Sequence, residues 1–166
     1  MKGPLDRRGA RLDPRLFTYR EPVECDAPLY IPLRRPGRQL DFTLADFDMP
    51  VLRSSLAREL QALAPESIQL FPAVVEGSND SFHIVNVVSV VACLDEQRST
   101  LTYWTQAHGR PDKVGKPMMV VELRVDTERA AGKKIFRLKD WKIALIVSED
   151  ARDILRGASG AVFRPV

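Results

Sequence analysis

Apolar and polar positions change their period several times along the chain, and each change predicts a different element. Leu56, Ala57, Leu60, Leu63 and Ala64 recur at helical spacing and make one apolar stripe, with Arg58, Glu59 and Gln61 facing away. Ser54 stands just before them as an N-cap, because a serine hydroxyl can accept from the free N–H groups of a first turn. Pro65 ends the helix. Ile68–Val75 then reads as a strand in which Pro72 marks a bend or an edge position. Glu76-Gly77-Ser78-Asn79-Asp80-Ser81 is a turn. Phe82–Val91 is the strongest strand. One face carries Phe82, Ile84, Asn86, Val88 and Val90, and the other His83, Val85, Val87, Ser89 and Val91. Both faces are largely apolar, which predicts a central strand covered on two sides.

The other elements are shorter. Leu101–Gln106 reads as a strand and His108–Lys113 as a loop. Met119, Val121, Leu123 and Val125 alternate with Val120, Glu122, Arg124 and Asp126, as in a half-buried strand. Thr127–Gly132 is a turn or short helical piece. Lys134–Leu138 and Ile143–Val147 are strands joined by Lys139-Asp140-Trp141-Lys142, a hairpin. Ser148 caps a second helix whose first turn holds Glu149 and Asp150, where acidic groups suit the positive helix end. Ala161–Arg164 makes a last strand. It completes an echo: Val51–Ser54, helix, Gln69–Pro72 resembles Ile146–Ser148, helix, Val162–Pro165, which predicts two similar units on one sheet.

Residues 1–14 are polar and Gly/Pro-punctuated. After them come extended pieces at Leu16–Arg20, Leu29–Leu33 and Leu40–Leu44, interrupted by Pro22, Pro28, Pro32 and Pro36. Such proline density excludes a central strand and predicts edge strands or an extended wrap. The predicted fold is thus a single α+β domain with a central mixed, mostly antiparallel sheet and two or three short helices. Residues 1–44 form an extended arm and edge-strand region packing on a main body of residues 45–166.

The length of 166 residues suits one domain that needs no disulfide or metal to fold. No apolar run reaches the roughly 18 residues of a membrane span. The opening Met1–Arg8 lacks the apolar core of a secretory signal, so Cys25 and Cys93 are expected to be reduced and the chain cytoplasmic. The net charge of +3 and pI near 9.0 are mildly basic but unevenly spread. Lys2, Arg7, Arg8, Arg11, Arg15 and Arg20 face only Asp6 and Asp13 within the first twenty residues, and Arg34, Arg35 and Arg38 form a second cluster. These arginines read as a solvated arm and loop or as a site for an anionic partner. No aromatic residue interleaves the second cluster, which speaks against nucleic acid.

Zinc-ligand spacings, phosphate-binding glycine motifs and the G-x-S-x-G nucleophile motif are all absent, so no metal or cofactor is expected. The residue types allow one catalytic arrangement: Cys93 as nucleophile, His83 or His108 as base and Asp95 as orienter. The alternative is that Cys93 is a small buried hydrophobe at a strand end. Asp95 and Glu96 are adjacent and point to opposite faces of a strand, which argues against a shared carboxylate site. Asn86, a polar amide in an apolar strand, needs hydrogen-bond partners and is predicted to tie down a neighbouring loop. Trp141, in a polar turn, is either folded onto the core or offered to a partner. Of Tyr103 and Trp104, neighbours on a strand, one is expected in the core and the other on the surface.

Seven segments, taken in order, carry a resemblance. They are Met49-Pro50-Val51-Leu52 with Ser54, Leu70-Phe71-Pro72, Ile84-Val85-Asn86-Val87, Cys93-Leu94-Asp95 with Ser99, Ile135-Phe136-Arg137-Leu138, Ile146-Val147-Ser148-Glu149 and Gly160-Ala161-Val162-Phe163. Over residues 45–164 this set resembles immunity protein family number eleven of bacterial polymorphic toxin systems, the myxobacterial-type immunity domain. The resemblance implies a non-enzymatic protein that binds and neutralises a cognate protein toxin, without a cofactor and away from the membrane. Ser54, Phe71, Pro72, Asn86, Asp95, Ser99, Phe136, Arg137, Ser148 and Phe163 are then motif positions expected to build the fold. Toxin contacts are expected from loops, which tolerate change: first Lys139, Asp140, Trp141 and Lys142, then Ser78, Asn79 and Asp80. Two other function classes compete. One is a nucleic-acid-binding module using Arg7, Arg8, Arg11, Arg34, Arg35 and Arg38, and the other a small cysteine-dependent enzyme.

Overall fold

Five strands make the main sheet of the computed structural model, which describes residues 1–19 and 21–166. They are β1 (Leu29–Ile31), β2 (Phe42–Ala45), β3 (Met49–Arg53), β4 (Ile68–Val75) and β5 (Phe82–Val87), with helix α1 (Ser54–Leu63) between β3 and β4. The strands lie in the order β1, β4, β5, β3, β2, and only β1 and β4 run parallel. All six residues of β5 are buried, as its two apolar faces require. α1 covers one face, where Ala57 and Leu60 meet Leu52, Val85 and Val87. The other face packs Phe17, Leu29, Ile31, Met49, Phe71 and Ile84. Phe17 meets Phe71 edge-on with ring centroids 5.1 Å apart.

After β5 the chain leaves this sheet. β6 (Val90–Val91) comes first, and β7 (Thr100–Tyr103) and β8 (Pro117–Glu122) form an antiparallel two-stranded ribbon. β9 (Ile135–Leu138) and β10 (Leu145–Val147) complete a second sheet of order β10, β9, β6, followed by α2 (Glu149–Ile154). Its core is Val91, Cys93, Val125, Phe136, Leu138 and Ile146. The architecture is α+β with a mixed, mostly antiparallel central sheet and two α-helices among the described residues.

Several expectations are corrected. The piece starting at Leu16 is not extended: Pro14–Phe17 is a 3-10 turn, capped by the Asp13 carboxylate accepting from Arg15 N–H at 2.9 Å. Its predicted end, Arg20, lies outside the described residues. Ser54 is not the N-cap. β3 runs directly into α1, so the capping position falls on Arg53, and the Ser54 hydroxyl turns inward to His83. β4 becomes an interior strand only from Ala73, where pairing with β1 begins; at Pro72 it pairs with β5 alone, the edge position its proline predicts. Phe82–Val91 is two strands: Val88 N–H donates to Ser67 O at 2.9 Å, and the chain then crosses to the second sheet. Leu101–Gln106 stops as a strand at Tyr103 and turns at Gln106–His108. Neither Tyr103 nor Trp104 enters the core. Ala161–Arg164 is irregular rather than a strand. With Ser54 not a cap and this strand missing, the echoed pair of units on one sheet does not exist.

The β8 region departs furthest from alternation. Thr100 pairs with Glu122 but Leu101 with Val120, and Thr102 pairs with Met119 but Tyr103 with Pro117. β8 therefore carries two extra residues, Val121 and Met118, and these bulges break the alternation. Elsewhere local chemistry holds: Glu76–Ser81 turns at Gly77, β9 and β10 form a hairpin, and Ser148 Oγ accepts from Ala151 N–H at 3.3 Å to cap α2.

Candidate functional site

The hairpin connection between β9 and β10 spans residues 139–144. Trp141 within it is half-buried and folds back on the second-sheet core. The loop is fixed from below by Arg137, which is only 1% exposed. Arg137 Nη1 donates to Lys142 O at 2.8 Å and Nη2 to Asp48 O at 3.3 Å. A guanidinium so deeply buried needs such acceptors to offset its lost hydration. The consequence is spatial: one side chain ties the 139–144 loop to the three-residue turn Asp46-Phe47-Asp48 joining β2 to β3.

That turn is strained. Phe47 and Asp48 have φ of 58° and 57°, the left-handed region that non-glycine residues seldom occupy. Phe47 is 62% exposed at its tip, with the Arg15 guanidinium 5.3 Å from its ring centroid. Lys142 Nζ similarly lies 5.5 Å from the Tyr19 ring centroid. Between loop and turn runs a groove of about 210 Å³, lined by Leu44, Asp48, Arg137, Ile143 and Val162 among others. Leu44, Ile143 and Val162 are exposed. Ile143 lines this groove with Asp48, whereas Phe47, the neighbour of Asp48, faces a second groove with Arg11 and Arg34. Phe47 and Tyr19 carry no local signal in the sequence, and Arg15 stands out only as one of the N-terminal arginines.

Ser78, Asn79 and Asp80 lie elsewhere. Their turn adjoins Arg53, at the opposite end of β3 from Phe47, about 13 Å away at roughly 3.3 Å per residue. Asp80 is engaged there by Arg53 Nη1 at 2.9 Å and by Gln39. The two loops expected to contact a partner do not form one face around β3.

The motif positions have separate tasks. Phe71 and Phe136 are buried, whereas Phe163 sits in the irregular C-terminal segment and is exposed. Asn86 Nδ2 donates to Glu21 O at 2.8 Å and to Gln69 Oε1 at 3.2 Å. Gln69 exchanges two further bonds with the Val23 backbone, at 2.7 and 2.9 Å. Together they fasten the stretch that crosses beside Pro72. Ser99 Oγ accepts from Arg124 N–H at 2.9 Å and donates to Arg124 O at 3.2 Å, closing the neck of the β7–β8 ribbon.

Cys93, His83, His108 and Asp95 each have different partners. Cys93 is fully buried among apolar side chains, and burial pushes its thiol up. His83 Nδ1 lies 2.8 Å from Ser54 Oγ, and burial, then Arg58, lowers its pKa. His108 Nδ1 accepts from Thr105 N–H at 3.0 Å in the ribbon. Asp95 accepts from Arg98 N–H, and the Arg98 side chain holds its carboxyl below the usual range. Among the described residues no three His, Cys, Asp or Glu side chains gather as metal ligands, and no helix is long and apolar enough to cross a membrane. The arginines are divided too. Arg11 and Arg34 line one groove, where Arg34 pairs with Asp46, and Arg35 and Arg38 line another beside Glu76.

The sequence profile of the Immunity protein family (Imm11) matches residues 56–166, from α1 to the end of the chain. No curated protein matches significantly. The matched stretch contains β4 to β10, the buried Asn86 and Arg137, and the Ser148 cap, so the chain belongs to the Immunity protein family.

Proposed function

We propose that this chain is a non-enzymatic immunity protein that binds a cognate bacterial toxin in the cytoplasm of the producing cell and neutralises it. Family membership over residues 56–166 carries the reading. The surface that supports it best joins the loop Lys139, Asp140, Trp141 and Lys142 to the Phe47 turn. Trp141 braces the loop from beneath, while Phe47 and Ile143 present apolar area to the partner. An exposed aromatic on a strained, well-supported turn suits an interface hot spot. Ser78, Asn79 and Asp80 are a second, separate contact at most.

The test is co-expression of the tagged chain with the protein encoded by the neighbouring gene. A stoichiometric complex, with toxicity appearing only when the chain is absent, is the expected result. Absence of both complex and protection would refute the reading for that pair. The nucleic-acid reading has less support, because its arginines are split between two grooves.

A further inference from the structure

We infer that the ribbon of residues 99–124 is a grip inserted into an acidic, partly apolar cleft of the cognate toxin. This rests on the immunity reading and adds a second attachment, separate from the Phe47 turn. None of residues 94–124 is buried, so the ribbon projects without a core of its own. Isolated two-stranded ribbons are marginal in water. This one is nonetheless organised at both ends. Ser99 and Arg124 close the neck, where Leu94 also bridges Val125. Near the far end, Trp104 N–H donates to Lys116 O and Gly115 N–H to Trp104 O, both at 2.9 Å. The Trp104 ring meets His108 edge-on and lies 4.8 Å from Lys113 Nζ. Local order held so far from any core lowers the cost of binding something outside the molecule.

The ribbon's shape says which part makes contact. Bulges in β8 and Pro117 at its start blunt the strand edge against pairing. What remains is its flank, where Val121 is 63% and Met119 51% exposed, with Tyr103 also open. A bulge aims a side chain away from the regular pleat, and Val121 is the extra residue at one of them. The tip carries Arg110, Lys113 and Lys116 against Asp112. Arg110 pairs with Asp112, but Lys113 and Lys116 make no ion pair among the described residues. Two such tips in a self-dimer would repel each other, whereas carboxylates of a partner would complement them. A nucleic acid is less suited, because Trp104 is already engaged by Lys113 and His108 and offers no free stacking platform.

The experiment uses the full chain, its Met119→Glu/Val121→Glu and Lys113→Glu/Lys116→Glu variants, and an inactivated form of the toxin encoded by the neighbouring gene. Calorimetric titration at low and high salt is read beside thermal unfolding. The apolar pair of substitutions is expected to weaken binding at least about 100-fold with unfolding unchanged. The charge reversal is expected to weaken it about tenfold at low salt and to flatten its salt dependence. If the unaltered chain binds and both variants bind within about threefold of it, the grip is refuted and the immunity reading stands. If the unaltered chain does not bind, both fall together. A dimer in light scattering that Met119→Glu/Val121→Glu dissociates would overturn the inference in favour of self-association. Duplex or single-stranded DNA binding abolished by Lys113→Glu/Lys116→Glu would overturn it in favour of nucleic acid.

Discussion

Ser159 donates its backbone N–H and its hydroxyl to the same carboxylate oxygen of Asp41, 118 residues earlier in the chain, at 2.9 and 2.7 Å. The other oxygen accepts from Arg53 Nε at 2.7 Å. This knot fastens the C-terminal segment to the start of β2. Gly160, the next residue, has φ of +91°, and a Cβ there would collide with the carbonyl oxygen of Phe42.

The knot makes stability depend on acid. The Ser159 hydroxyl, then its N–H, then Arg53 hold the Asp41 carboxyl down at about 2, below its ordinary 3.8. A depressed folded pKa contributes stability that is complete above the unfolded value and lost as pH falls through the folded one. Denaturant titrations between pH 4 and 2 are expected to show this loss in the unaltered chain and a shallower one in Asp41→Asn. At neutral pH, Asp41→Ala is expected to cost roughly 1.5–3 kcal/mol, the scale of hydrogen bonds to a charged group. Gly160→Ala is expected to lower the midpoint as well.

The buried pair Ser54 and His83 predicts a second pH effect. Burial keeps His83 neutral, so its imidazole should titrate by NMR below its ordinary value of 6.5. Its contribution to stability is complete above that value and is lost as pH falls below it. Ser54→Ala removes the hydroxyl 2.8 Å from Nδ1 and should cost about 1–3 kcal/mol, the desolvation of an unmet buried group. A loss of only a few tenths would show that the hydroxyl does little to satisfy the buried imidazole.

Trp141 and Phe47 should separate stability from binding. Trp141 is half-buried against the second core, so Trp141→Ala is expected to cost about 1–2 kcal/mol, less than a fully buried tryptophan. Phe47→Ala, and likewise Ile143→Asp, should leave the unfolding midpoint nearly unchanged while weakening toxin binding by about 2 kcal/mol or more. The opposite pattern would move the interface away from the Phe47 turn.

Thiol chemistry separates an enzyme from a binder. Cys93 is fully buried and its thiol is pushed up, whereas Cys25 is partly exposed. A thiol reagent should modify Cys25 first in the native chain and reach Cys93 only on unfolding. Fast modification of Cys93 in the folded protein would revive the cysteine-enzyme reading.

Elements with local causes were readable from the chain. α1 follows from its apolar stripe, the β4–β5 turn from Gly77 and its polar neighbours, and the α2 cap from Ser148. What failed depends on partners remote in sequence. Nothing local separates β5 from β6, since both are valine-rich; Val88 N–H still bonds Ser67 O in the β4 register, and the change of sheet comes at Ser89, whose carbonyl accepts from Arg137 N–H. The β8 bulges appear only once its pairing with β7 is known. On the proposed surface, Lys142 was suggested by its place in a hairpin turn containing a tryptophan. Phe47 was not, because Asp46-Phe47-Asp48 reads as a connector until β2 and β3 are seen to pair across it.

The arrangement of the main sheet has a consequence for inheritance. β1, β2 and β3 all precede residue 56, yet they flank β4 and β5 on both sides. A recombinant that acquired only the recognisable stretch would receive two apolar strands with both outer edges bare, the geometry that promotes aggregation. Residues 29–53 are therefore needed to cover the edges of the strands that follow them.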